Sequence, residues 1–210
     1  MAPDLSTPRK QTKGERTAQR ILDVAEDLFA RQGYEGTSLR QIAGGAGIKE
    51  PGLYNYFRGK QALYEAVLFR ALNPMAEAIA SRMEGASHLR DFTDLPAVMT
   101  DLLLDHPQMA ALFQQAMRGS TESVGNQLVS QWLEKLFDQG MQSLEDFGNQ
   151  GNNIATDRRS PGQRAQLAIN LIAMFNLTTG YFLSQRAFDS MAEGQLSDAD
   201  NIERQKDLLR

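Results

Sequence analysis

Between Thr37 and Lys60 the chain reads TSLRQIAGGAGIKEPGLYNYFRGK, which gathers hydroxyls, amides and cations around an apolar frame. Asn55 carries the paired donor and acceptor that match the edge of adenine in a DNA major groove. Thr37, Arg40, Tyr54, Tyr56 and Lys60 are the hydroxyl and cationic types that bind phosphate oxygens. Lys60 also opens a helix, and a helix N-terminus attracts phosphate. Ser38, Gln41 and Lys49 are polar neighbours in the same stretch and join the candidate surface. Glu50 stands against the pattern, because a carboxylate beside phosphates is repelled. It can favour a helix dipole, accept from a cytosine amino group, or discriminate against other sequences. Leu53 and Phe57 read as packing.

These residues need short helices to hold them. From Arg16 to Gln32 the apolar residues Ala18, Ile21, Leu22, Ala25, Leu28 and Phe29 recur at spacings of three and four, one face of an amphipathic helix. Gly33 supplies its stop. Thr37 or Ser38 can cap a second helix, and Ser38 with Gln41 fits a capping box. That helix ends at Gly47, which can take the left-handed conformation of a sharp turn. A third short helix is predicted from Pro51 to Phe57, since proline is tolerated in a first turn. Gly44 and Gly45 each cost about 1 kcal/mol relative to alanine in a helix; a close approach of another helix would explain them. A longer helix starts near Lys60. Three short helices with a glycine turn between the second and third form a helix-turn-helix, whose last helix enters the major groove.

Further along, the 3.6-residue period predicts helices near 75–85, 92–105, 107–118, 122–148, 162–190 and 198–209, with no strand and no internal repeat. The chain of 210 residues is therefore all-α. It organises as a disordered basic arm (1–14), a DNA-binding domain (15–70) and a helical ligand-binding and dimerisation domain (71–210). The segment FGNQGNNIATDRRSPG is its one long loop. Residues 1–70 hold eleven Lys and Arg against eight Asp and Glu, a net of +3, whereas residues 71–210 hold eleven against eighteen, a net of -7. Such a split suits an anionic partner for the first part and a different partner for the second.

The composition narrows the function. With no cysteine, disulfides, thiolate metal sites and a cysteine nucleophile are excluded. The N-terminus lacks the apolar run of about 7–15 residues of a secretory signal, and the most apolar stretch, AQLAINLIAMFNLTTGYFLS, is broken by Asn170, Asn176, Thr178 and Thr179. A cytoplasmic protein, nucleoid-associated when bound to DNA and without a membrane partner, is expected. The histidines, His88 and His106, form no HExxH pair, and neither a nucleophile elbow nor a phosphate-binding loop occurs. Neither an enzyme nor a metal or cofactor is expected.

The run from Thr17 to Leu63 resembles the DNA-binding domain of the tetracycline-repressor-like (TetR) family of bacterial regulators. The resemblance is carried by Ile21–Leu22, Ala25, Leu28–Phe29, Gly33–Tyr34, Thr37–Ser38, Ile42–Ala43, Ala46–Gly47–Ile48, Leu53–Tyr54, Tyr56–Phe57 and Lys60. It covers the first third of the chain. By this resemblance Thr37, Arg40, Tyr54, Tyr56 and Lys60 are phosphate contacts, and Gly52 and Asn55 approach bases. Lys49 stands where such sequences often have a serine cap, Pro51 replaces a common glycine, and Gly44–Gly45 is unusual.

The second domain carries broad apolar helix faces that need cover on more than one side. Leu128, Leu136, Leu171 and Phe182 are the candidates for a four-helix interface with a second copy, and proteins that resemble this one usually pair in that way. Met99, Leu102, Phe113, Met117, Trp132 and Phe175 are candidates for a pocket that takes an apolar or aromatic small molecule. The expected function is a dimeric repressor on a palindromic operator, released by such an effector. The alternatives are a ligand-activated DNA binder or activator of the same architecture, and a ligand-free architectural or protein-interaction helical module.

Overall fold

The computed structural model describes residues 12–84, 95–149 and 161–209. Among them the chain forms helices and no strand, as the sequence pattern requires. The arm at residues 1–11, Phe92 and most of the Gly- and Asn-rich loop lie outside the described residues. The chain divides into two compact units, Met1–Val67 and Leu68–Arg210.

In the first unit, α1 (Lys13–Gly36) opens with a capping box: Glu15 N–H donates to Thr12 Oγ1 at 3.2 Å, and Thr12 N–H donates to Glu15 Oε2 at 2.8 Å. The regular helix is interrupted at Gly33, whose φ of 71° is left-handed, and one further turn follows it. A second capping box starts α2 (Leu39–Gly45), with Gln41 N–H donating to Ser38 Oγ at 3.2 Å and Ser38 N–H donating to Gln41 Oε1 at 2.8 Å. Ser38, and not Thr37, is the cap. The turn then passes through Gly47 at φ 66° into α3 (Glu50–Leu53).

The predicted third helix, Pro51 to Phe57, is shorter than expected. After Leu53 the bonds tighten, with Asn55 N–H donating to the Gly52 carbonyl and Tyr56 N–H to that of Leu53, so the chain leaves the helix in turns. Ile21, Ala25, Phe29, Ile42, Ala43 and Leu53 are buried together with Leu63, Tyr64 and Val67 of the next helix, α4 (Lys60–Glu84). Each large side chain covered in this way contributes about 1.5–3 kcal/mol.

Gly45 has a packing role. A Cβ built on it would stand 2.7 Å from Val24 Cγ1 of α1, so α2 approaches α1 only because that atom is missing. Gly44 has open space at the same position, and close approach does not account for it.

The second unit begins within α4. The separate helix expected near 75–85 is a continuation of α4, which runs through Pro74. Proline there removes one backbone bond and crowds the preceding turn, yet Leu68, Ala71, Leu72 and Met75 keep one buried stripe through the position. After it come α5 (Leu95–Asp105), α6 (Gln108–Met117), α7 (Val124–Asn149), α8 (Pro161–Leu183), α9 (Gln185–Asp189) and α10 (Ala199–Leu208). Helix α6 packs on α7 and α8, and α5 packs on α8 and α10. Met99, Leu103, Met109 and Leu112 lie at the centre of that packing.

The predicted helix 162–190 is two helices. It breaks at Ser184, which has φ -95° and ψ 10° and whose hydroxyl donates to the Gly180 carbonyl at 2.6 Å. On either side of the break, Tyr181 Oη donates to the Leu196 and Asn201 carbonyls at 2.8 and 3.0 Å, and Gln185 Oε1 accepts from Leu196 N–H at 2.8 Å. These bonds fasten the loop that leads into α10.

Candidate nucleic-acid interface

The two short helices of the first unit sort the candidate residues by burial. Arg40, Gln41, Lys49, Glu50, Tyr54, Asn55 and Tyr56 are exposed, and Gly52 and Lys60 are half-buried. Tyr54 is 55% exposed and Tyr56 38%, so these rings lie on the surface, while Leu53 between the two helices is fully buried. Tyr54, Asn55 and Tyr56 thus form a continuous exposed row beyond the Gly47 turn. Ser38 and Gln41 are occupied by their mutual cap, and Gln41 Nε2 also donates to Gln32 Oε1 at 3.4 Å. Lys49 occupies the N-cap position of α3 with no side-chain cap bond, as its donor-only ammonium dictates.

Thr37 requires a correction. It is 2% exposed, and its hydroxyl donates to the Gly33 carbonyl at 2.9 Å and the Leu28 carbonyl at 3.2 Å. Those carbonyls lie where Gly33 interrupts the helical ladder, so the hydroxyl is consumed in closing the end of α1. It is not available to a phosphate.

Arg58 adds to the surface. It is exposed in the turn between α3 and α4, and the sequence signal for it is the first cation of FRGK. Among the described residues Arg40, Lys49, Glu50 and Arg58 form no ion pair. Three unpaired cations on one small unit suit a polyanion, because their charge is not already neutralised.

Lys60 is held differently. Its Nζ sits 4.3 Å from the centroid of the Tyr34 ring. Tyr34 in turn lies against Tyr64 at 5.0 Å and Phe29 at 6.2 Å, and Phe29 meets Tyr64 edge-on at 4.7 Å. Burial, and then Tyr34 beside it, push the Tyr64 phenol up to about 12. Tyr34 is also raised, by burial first and then by Glu35 and Glu65. Both phenols stay neutral at physiological pH.

With this geometry in view, the similarities to known proteins fall into place. Residues 21–67 match the family described as bacterial regulatory proteins, tetR family. These residues are a tetR-family domain. The HTH-type transcriptional regulator RutR of Escherichia coli (strain K12) is 31% identical over 119 residues, which cover 57% of this chain and 56% of RutR. The HTH-type transcriptional activator FasR of Mycolicibacterium smegmatis is 27% identical over 133 residues, 56% of this chain and 58% of FasR. The chain thus spans little more than half the length of these curated relatives. The fatty acid degradation regulator FadR from Bacillus halodurans has a similar fold, with a TM-score of 0.67, 17% identity and 96% of each chain covered. All three are regulators and not enzymes.

The positions that carry the resemblance divide between the inside of the domain and its surface, where Ser38, Tyr54 and Tyr56 are exposed. Ile21, Ala25, Phe29, Gly33, Thr37, Ile42, Ala43, Ala46 and Leu53 are buried, so about half of the resemblance lies in the core. Lys49, Glu50 and Asn55, which face outward and have the chemistry to read bases, lie outside those matching positions.

In the second unit Phe113 stacks on Phe175 at 4.7 Å, and Trp132 meets Phe175 edge-on at 6.1 Å. Three candidate ligand residues from α6, α7 and α8 therefore form one aromatic cluster. Met99 is fully buried and Leu102 half-buried on α5, whereas Met117 is 39% exposed at the end of α6 and is not enclosed. Of the dimer candidates, Leu136 is buried within its own unit, which corrects its assignment to an outer face. Leu128 is half-buried, Phe182 is half-buried with its ring edge-on to Tyr181 at 5.3 Å, and the side chain of Leu171 lies outside the described residues. Ile169, Ile172, Leu177 and Leu183 are exposed apolar residues of α8 instead, and they share one side of the helix with Ala173 and Asn176. No helix among the described residues is long and apolar enough to cross a membrane.

Proposed function

We propose that the chain is a cytoplasmic, dimeric transcriptional repressor that binds a palindromic DNA operator through α2 and α3 and is released by a small apolar or aromatic effector. The observation that carries this reading is the exposed row Tyr54, Asn55 and Tyr56 beyond a left-handed Gly47 turn, flanked by the unpaired cations Arg40, Lys49 and Arg58. Phosphate contacts from the cations and tyrosines set the register, and Asn55 and Glu50 meet base edges.

Pairing of two copies supports specificity, because a small reading head gains it from two half-sites one helical turn apart. Ile169, Ile172 and Leu177 supply the face for that pairing. The aromatic cluster of Phe113, Trp132 and Phe175 suits an effector with apolar or aromatic surface. An effector that prefers the state in which the two reading heads no longer match successive major grooves releases the DNA.

Selection of a randomised DNA pool on the purified protein tests the reading. The expected product is an inverted repeat whose binding is weakened by Asn55→Ala and Lys60→Ala. Light scattering is expected to give twice the chain mass for the wild type and the single-chain mass for Ile172→Lys. Recovery of no motif by a folded protein would refute the DNA-binding role, and a monomer at micromolar concentration would refute the pairing.

A further inference from the structure

Lys60 differs from the other cations of the reading surface in being fixed. Arg40, Lys49 and Arg58 are exposed, whereas Lys60 is half-buried with its ammonium on the face of the Tyr34 ring at 4.3 Å. Among the described residues it has no carboxylate partner, so the ring is what holds it. Tyr34 is itself immobilised by Tyr64 and Phe29, and it follows directly on Gly33, whose left-handed backbone turns the chain there. An aromatic face attracts a cation without neutralising it. An ammonium held in this way keeps its full charge and its three donors for an anion, and it loses less side-chain freedom on binding one than a free lysine does.

We propose that Tyr34 is a positioning residue for DNA binding, which presets the Lys60 ammonium for a phosphate oxygen. The proposal rests on the DNA-binding reading given above. It assigns a function to a residue outside the candidate contacts named above, and it explains why an aromatic ring stands half-buried at the end of α1 beside the start of α4.

A cation–π contact of this strength corresponds to about a two- to fivefold change in affinity. The test is a double-mutant cycle of Tyr34→Leu and Lys60→Ala, read as affinity for the selected operator over a series of salt concentrations. Tyr34→Phe keeps the ring and serves as the conservative control. Tyr34→Leu is expected to weaken binding about two- to fivefold in the wild-type background and to have no further effect on Lys60→Ala. Lys60→Ala is expected to lower the salt slope by about one, and Tyr34→Phe to bind as the wild type does. Equal losses from Tyr34→Leu with and without Lys60 would overturn the proposal, since a purely structural role gives that result.

NMR keeps the question decidable if Tyr34→Leu folds poorly. In the intact wild-type protein the Lys60 ε-methylene protons are expected upfield, under the ring current of Tyr34, and to stay there in Tyr34→Phe. Random-coil shifts in the wild type would overturn the proposal without any DNA. If the wild type selects no DNA at all, the function reading fails along with the positioning role, and upfield Lys60 protons would then mark a structural contact only.

Discussion

The two units of this chain use their buried residues to different ends. In the first, Phe29, Ile42 and Leu53 are wholly covered and the polar residues around them face outward, so that the core fixes a shape and the surface does the chemistry. In the second, the half-buried rings of Phe113 and Trp132 meet the buried Phe175, the first stacked on it and the second edge-on. On the proposed function, the first unit must present fixed side chains to a rigid DNA partner, while the second has to enclose a small molecule. The first requirement constrains every core position, and the second leaves many packings open.

The most damaging test of that contrast is Phe29→Ala. Phe29 is fully buried and touches both tyrosines of the aromatic cluster, and a cavity of that size costs about 3–5 kcal/mol. Urea unfolding followed by circular dichroism is expected to show the first unit melting early, with the helices of the second persisting. Gly45→Ala comes next. Its Cβ would meet Val24 Cγ1 at 2.7 Å, and Val24 is a stiff, β-branched residue that cannot swing away, so a loss of about 1–3 kcal/mol is expected. Gly44→Ala in the adjacent position has open space and is expected to stabilise by about 0.4–1 kcal/mol. Adding Val24→Ala should relieve Gly45→Ala and leave Gly44→Ala unaffected.

The glycine pair shows what the sequence could reveal. Composition marks both glycines as costly within a helix, but only the position of Val24 on α1 separates the one that is needed from the one that is not. Helix order, the Gly33 stop, the Gly47 turn and the Ser38 cap were legible because each has a local signature that no distant contact overrides. The continuity of α4 through Pro74 was not, since a buried stripe from Leu68 to Met75 outweighs the local penalty of proline. In the candidate site, residue type pointed correctly to an exposed Asn55 and two exposed tyrosines, but it could not tell Thr37 from them. A threonine hydroxyl suits a phosphate and a helix-end carbonyl equally well, and only the fold decides between them. The outer face of α8 was hidden for a related reason, because α8 carries apolar residues on several sides and their period does not say which side stays uncovered.

Thr37→Val sharpens the correction at that position. The substitution keeps the shape and removes the donor shared by the Gly33 and Leu28 carbonyls, for an expected loss of about 1 kcal/mol. Its affinity for DNA at fixed salt is expected to equal that of the wild type, measured under conditions where the variant is fully folded. A loss of affinity uniform across DNA sequences would restore Thr37 to the phosphate contacts.

The smallest effect belongs to the surface of the second unit, where Lys206 of α10 donates to Asp101 of α5 at 2.6 Å and also reaches Glu203 at 3.4 Å. The hydrogen bond to Asp101 is the main cause of a raised Lys206 pKa, against a lesser opposing effect of burial. A raised lysine contributes stability that is complete below its ordinary value of 10.5 and is lost as pH climbs through the higher folded value. Asp101 is more than half exposed, so the pair is worth about 0–1 kcal/mol. Asp101→Asn is therefore expected to lower the melting temperature slightly at neutral pH, and the difference from wild type should shrink both in high salt and above pH 10.5. A larger loss that ignores salt would mean that α10 is held by this contact more than by its buried Ile202, and so that the C-terminal helix depends on charge where the reading head depends on packing.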